Sequence, residues 1–104
     1  MTGGSDPNSF EHVAERRLIM KSGEGAPTEV ILRIGKPYWR TVGLDAACPV
    51  EIIGMVGRTR DIPNIDPIEA LKSAIAFAES FVNDPDLQNK LYWPDGEIYD
   101  LGKT

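Results

Sequence analysis

The sequence predicts an α+β domain: an antiparallel sheet of four to five strands with one long amphipathic helix packed on one face, in the order β-β-β-α-β-β. Three observations carry this expectation. Residues 65–83, IDPIEALKSAIAFAESFVN, repeat apolar side chains at the helical period. Ahead of them lie short runs rich in Val, Ile and Leu, bounded by Gly and Pro, of which TEVILRI alternates most clearly. Behind them, Pro94-Asp95-Gly96 separates KLYW from EIYDL with the chemistry of a tight hairpin.

Taken in order, Met1–Ser9 is small, polar and rich in breakers, and is expected to be a disordered tail. A single domain then runs over residues 10–101, and Gly102-Lys103-Thr104 forms a second tail. Phe10–Val13 stands ambiguously between tail and domain. Glu15–Lys21 is expected as the first strand, followed by the glycine-punctuated turn SGEGAP. Two glycines there do not make a phosphate loop, because no Lys-Ser/Thr pair and no helix follow. Thr28–Ile34 is the second strand, with Val30, Leu32 and Ile34 on one face. Lys36-Pro37 ends it. Gly35–Ala47 is the least regular internal stretch, and part of Thr41–Leu44 has the makings of a short strand. Cys48–Val56 reads as the third strand, with Pro49 marking its beginning or an edge position. The alternation leaves Ile31, Ile53 and Met55 on the sheet face away from the helix. Ile62-Pro63-Asn64 reads as a connector.

The helix has strong boundaries. Asp66 is an N-cap, Pro67 fills the first helical position at no cost in hydrogen bonds, and Glu69 completes a capping-box-like pattern. Ile68, Leu71, Ala74, Ile75, Phe77, Ala78, Phe81 and Val82 make the apolar face. Glu69, Lys72, Ser73 and Glu79 are expected in solvent. Asn83-Asp84-Pro85 stops the helix, with Asn83 suited to a left-handed C-terminal position. Asp84–Asn89 is a turn with room for one short helical turn. Lys90–Trp93 and Glu97–Leu101 are then the fourth and fifth strands, made adhesive by Tyr92, Trp93 and Tyr99.

Composition narrows the function. The chain has 104 residues, a formal net charge of −5 and a pI of about 4.7, which weighs against general nucleic-acid binding and anionic membranes. It leaves basic protein partners open. Cys48 is the only cysteine, so no internal disulfide framework exists, and a reducing, cytoplasmic compartment is expected. No apolar run approaches membrane-span length, and the N-terminus lacks a signal-peptide pattern.

Few residues carry a chemical signal. His12 is the only histidine and has no cysteine or second histidine for a metal site, so neither metal nor cofactor is expected. Cys48 lacks a nucleophile's partners and reads as buried filler. Asp95, Glu97 and Asp100 read as turn and solvated strand positions. The segment IIGMVGR (Ile52–Arg58) matches the I-I-G-x-x-G of a KH domain, but it is strand-like, its x positions are apolar and no helix flanks it. Tyr38-Trp39-Arg40 groups the residue types that most often anchor interfaces, and Arg58 with Arg60 forms a small basic patch before the helix. These five residues are the candidate ligand or partner site.

The motifs ERRL (Glu15–Leu18), IGKP (Ile34–Pro37), CPVEIIG (Cys48–Gly54), DPIEAL (Asp66–Leu71) and LYWPDGE (Leu91–Glu97) together resemble a family of short bacterial proteins catalogued only as a domain of unknown function. The likeness spans roughly residues 14–101. It implies a stand-alone bacterial cytosolic domain and carries no catalytic residues across. The function expected from the residues is a non-enzymatic protein–protein interaction module. One version is an acidic inhibitor or immunity-type protein facing a basic partner. A homodimer through the second sheet face or an edge is also expected. The competing reading is a ligand-binding or catalytic cleft near Trp39, Arg58 and Arg60.

Overall fold

The computed structural model describes residues 11–21, 23, 25–55 and 60–99. The elements are β1 (His12–Met20), β2 (Thr28–Gly35), β3 (Tyr38–Thr41), β4 (Asp45–Ile53), β5 (Arg60–Asn64), α1 (Pro67–Val82), a single 3-10 turn (Pro85–Leu87) and β6 (Leu91–Tyr92). The protein is an α+β domain with a six-stranded antiparallel sheet and one helix packed against it. The predicted tail at Met1–Ser9 and the last residues fall outside the described residues.

β4 is the central strand and explains the topology. Ala46 and Ala47 pair simultaneously with Trp39 and Tyr38 of β3 and with Asn64 and Pro63 of β5. β3 and β5 therefore flank opposite edges of β4. Val50 pairs with Ile34 of β2 and with Arg60 of β5, so β2 shares the β3 edge. β2 and β3 are thus one arm, broken at Gly35-Lys36-Pro37. Between Ile34↔Val50 and Tyr38↔Ala47, those three residues face only Cys48 and Pro49. Pro49 has no amide to give a ladder, and a bulge is where a central strand tolerates it. The Cys48 thiol donates instead to the Gly35 carbonyl at 3.3 Å. β1 pairs with the outer side of β2, and β6 with the end of β1 at Ile19 and Met20.

Alternation along the strands sends Leu18, Val30, Leu32, Ile34, Cys48, Val50 and Ile52 into one core. α1 lies over β4 and β5 and reaches β2. It approaches through Ala70, Ala74, Ala78 and Val82, all buried. Leu71, Phe77 and Phe81 pack on the flanks, the two rings edge-to-face at 5.2 Å. The N-cap forms as the sequence predicts: Asp66 Oδ1 accepts from the Glu69 amide at 2.7 Å. Asn64 ties the helix to β5, its side-chain amide donating to Ser73 Oγ at 2.8 Å and to the Glu69 carbonyl at 3.3 Å.

Several expectations are corrected. Five strands precede the helix, because β3 and β5 were short and proline-marked enough to read as loop. β1 begins at His12 rather than Glu15, and β4 spans Asp45–Ile53 rather than Cys48–Val56. Pro49 is interior to the sheet. Asn83 closes the helix at φ −92°, outside the left-handed region, its amide donating to the Glu79 carbonyl. Ile68 and Ile75 are exposed, whereas Ser73 and Glu79 are half-buried and engaged. β6 is only Leu91–Tyr92, and of the expected fifth strand the described part makes one bridge, Tyr92↔Ile98. The turn between them closes as expected, with Gly96 at φ +96° and its amide donating to the Trp93 carbonyl at 2.9 Å.

The second sheet face carries Ile31 and Ile53, as expected, but covers them with charged side chains. Arg17 Nε donates to Glu15 at 2.7 Å and Arg17 Nη1 to Glu29 at 3.2 Å, while Arg33 lies 3.5 Å from Glu15 and 3.7 Å from Glu51. His12 stands 3.5 Å from the same Glu15. Ile31 is buried beneath this lattice and Ile53 half-buried. Met55 packs against the core instead. Gly54, at φ +92°, redirects the chain after β4; a Cβ there would overlap the Glu29 carbonyl oxygen.

Candidate functional site

The five predicted site residues do not form one cluster. Arg58 lies outside the described residues. Tyr38 and Trp39 are neighbours on β3 and therefore face opposite sides of the sheet. Tyr38 shares the polar face with Ala47 and Pro63, and its hydroxyl donates to Asp61 Oδ2 at 3.2 Å. Trp39 shares the helix face with Ala46 and Asn64. Arg40 sits at the register irregularity between Trp39 and Thr41 and is exposed. Arg60 is beside Val50, its guanidinium 6.0 Å from the Phe77 ring centroid. Four residues along β4 and two strand spacings separate Trp39 from Arg60, roughly 15 Å.

What β3 does assemble is an apolar end of the molecule. Beyond Trp39, the chain turns at Val42–Leu44, closed by the Leu44 amide donating to the Thr41 carbonyl at 2.9 Å. On the other flank of β4, Ile65 follows Asn64 directly and Ile68 sits in the first helical turn. Val42 is 81% exposed, Leu44 71%, Ile68 69%, Ile65 67% and Trp39 39%. Side chains of this size leave on the order of 100 Å² each in water, so together they expose roughly 500 Å² of apolar surface. In the chain, Asp45 directly follows Leu44, Asp66 follows Ile65 and Arg40 follows Trp39, whereas Asp61 lies on the opposite face with Tyr38. Sequence reading found Trp39 but missed Val42, Leu44, Ile65 and Ile68. Their signal was available: four large aliphatics in turn or cap segments that cannot bury them.

A second cluster was not legible in the sequence. Arg16 Nη1 donates to Glu79 at 2.9 Å and to the Tyr99 hydroxyl at 3.0 Å. Its guanidinium lies 6.0 Å from the Trp93 ring and 5.9 Å from the Tyr99 ring, and those rings stack edge-to-face at 5.1 Å. Burial raises the Tyr99 phenol above its ordinary pKa, against the opposing pull of Arg16. Beside this cluster a groove of about 150 Å³ runs between β1 and α1, floored by Ala14, Leu32, Ile34, Ile75 and Ala78. None of Tyr38, Trp39, Arg40 and Arg60 lines it.

Burial pushes the Cys48 thiol up to about 11, with Asp61 adding to the shift, so it is neutral and unreactive at physiological pH. Among the described residues, no group of three or more His, Cys, Asp or Glu is arranged to hold a metal ion. Among them also, no helix is long and apolar enough to cross a membrane. Comparison with known proteins gives no matching family model, no similar curated protein and no similar solved structure.

Proposed function

We propose that this protein is a non-enzymatic protein–protein interaction module that binds its partner through the apolar end formed by Trp39, Val42, Leu44, Ile65 and Ile68. The observation that carries the reading is the concentration of exposed large side chains at one end of the sheet. Its extent of roughly 500 Å² falls in the upper range of the largest patch on a typical monomer. A tryptophan with exposed aliphatics around it is the composition of an interface centre.

The partner presents an apolar surface with basic residues at its margin. Asp45 and Asp66 adjoin Leu44 and Ile65 in the chain, and the whole chain carries −5. A second copy would bring like charge to the same margin, so a different protein is favoured over a homodimer. An acidic inhibitor or immunity-type role in the cytoplasm is the concrete version, supported by the net charge and by a free cysteine held as a buried thiol.

The test is co-purification from the native cell with wild-type protein and with Leu44→Asp. A partner retained by wild type and lost by Leu44→Asp, with the variant's melting temperature unchanged, supports the reading. Equal retention by both proteins, or by a charge-matched unrelated protein, overturns it.

A further inference from the structure

α1 covers only part of the sheet face it packs on. It lies over β4 and β5 and reaches β2. On the β1 side of the same face, Trp93 and Tyr99 close over the strand beside Arg16. Between these two covers lies the groove floored by Ala14, Leu32, Ile34, Ile75 and Ala78. Ala14 is exposed there, Ile75 is 41% exposed, and Val13, the extra residue of the β1 bulge beside Ala14, is 56% exposed. The layer above the sheet has a gap at this place.

The gap is continuous with the apolar end. Ile68, Leu71, Ile75 and Ala78 are spaced three or four residues apart and so share one flank of α1. Ile75 and Ala78 turn that flank toward β1 and β2. Ile68 begins it, and Ile68 already belongs to the apolar end. From Ile68 to Ala78 the flank runs roughly 15 Å, about three turns. On the sheet side, β2 and β3 form one arm, so Trp39 lies further along the same face from Ile34. The apolar surface thus follows α1 as far as the Arg16–Glu79 ion pair, which closes it at 2.9 Å.

Area and backbone chemistry select the occupant. The apolar end alone offers roughly 500 Å², against about 800 Å² per partner in a standard interface. Val13, Ile75 and the groove add on the order of 200 Å². Between Ile31 and Ile34, β2 is paired by β1 on one side and β4 on the other, so the floor offers no free main-chain donor or acceptor. A segment lying across it loses water and must satisfy its own backbone, which an α-helix does internally. The space beside α1, over β2 and β1, is two strands wide, roughly 10 Å, the width of one helix.

We propose that this gap seats an amphipathic α-helix of the partner protein, laid alongside α1 on the sheet. The inference rests on the apolar end being the partner site, and names the partner element that reaches it. The helix carries an apolar stripe of residues three and four apart. One end of the stripe meets Trp39 and Ile68, and the other places an aliphatic side chain in the groove between Ala14 and Ala78. Its opposite face is polar and stays in water. Recognition is then helix-in-groove, with the spacing of the anchors setting selectivity.

The probe is a capped peptide of about 14 residues, roughly four helical turns, with Leu at helical spacing and equal numbers of Glu and Lys between. Its control has the same composition, shuffled so that no stripe forms. Two-dimensional NMR of the full chain and far-UV circular dichroism of the peptide give the readout. With the striped peptide, shifts appear at Ala14, Ile75 and Ala78 together with Trp39 and Ile68, and the peptide gains helicity. The shuffled peptide produces neither. Ile75→Glu weakens binding at least about tenfold with an unchanged melting temperature. Shifts confined to Trp39, Leu44 and Ile68 overturn the helix seat and leave the apolar end standing. Failure of the apolar end itself reads differently, as partner capture indifferent to Leu44→Asp. Equal effects of the two peptides, no shift at Ile75 with either, or shifts without a gain of helicity overturn the proposal. So do shifts at Ile75 that appear without peptide as protein concentration rises, since a second copy then fills the gap. Shifts there on removal of residues 1–9 overturn it too, since the chain's own N-terminus then fills it. If Ile75→Glu does not fold, the pair of peptides decides alone.

Discussion

Trp39 and Trp93 are almost equally exposed, at 39% and 37%, yet they sit in opposite kinds of surroundings. Trp93 stacks on Tyr99 and lies beside the Arg16 guanidinium, which is itself held by Glu79. Its ring closes the C-terminal hairpin onto the sheet. Trp39 has Ala46 and Asn64 as its cross-strand neighbours on the helix face, and exposed aliphatics beyond. Exposure therefore does not distinguish a structural tryptophan from an available one. What distinguishes them is whether the polar and aromatic valences of the surroundings are already satisfied by the fold.

The largest expected effect removes the frame on which both ends hang. Gly54→Ala forces a side chain onto the Glu29 carbonyl at a positive φ, where the obstacle is backbone and cannot swing away. A loss of about 3 kcal/mol or more is expected in urea unfolding, with both tryptophan environments lost together. If one tryptophan keeps its native fluorescence, the two ends do not depend on a common sheet.

The next effect separates the ends. Trp93→Ala gives up burial, the Tyr99 stack and the Arg16 contact, and should cost about 2–3 kcal/mol without changing partner capture. Trp39→Ala gives up burial alone and should cost about 1–2 kcal/mol, while weakening partner capture at least tenfold. Equal stability costs would dissolve the distinction drawn above, as would loss of capture in Trp93→Ala.

The smallest effect is a pH dependence. Cys48 titrates at 9.0 ordinarily and near 11 when buried in the fold, and Tyr99 is also raised above 10.0. Above pH 9.0 the unfolded chain loses these protons before the folded one does. Stability is therefore fully present below pH 9.0 and falls as pH rises toward 11. Cys48→Ala should flatten the first part of that fall, near the start of β4, and Tyr99→Phe the later part, at the Trp93 end. Denaturation midpoints measured across this range provide the check.

The sequence disclosed what is decided locally. Asp66, Pro67 and Glu69 mark the helix start within four residues, and Pro94-Asp95-Gly96 specifies its turn without outside help. It concealed what is decided by partners. Arg16 sits 63 residues from Glu79 and 83 from Tyr99, and no local pattern announces that meeting. Pro63 and Lys36-Pro37 looked like strand breakers because edge position and a bulge, the two settings that tolerate them, are properties of the assembled sheet. Residue type singled out the Tyr38-Trp39-Arg40 group but could not place it. It is spread over two faces, and Trp39 reaches the helix face only because the break at Gly35–Pro37 changes the phase of the arm.

That break also governs how the protein moves. The β2–β3 arm loses continuous hydrogen bonding where Gly35, Lys36 and Pro37 pass Cys48 and Pro49. Cooperative opening of a sheet propagates through an unbroken ladder and stalls where the ladder is interrupted. Amide hydrogen exchange over Tyr38–Leu44 is therefore expected to be faster than, and independent of, that over Thr28–Ile34. Trp39, Val42 and Leu44, part of the apolar end, are carried on the segment beyond this break.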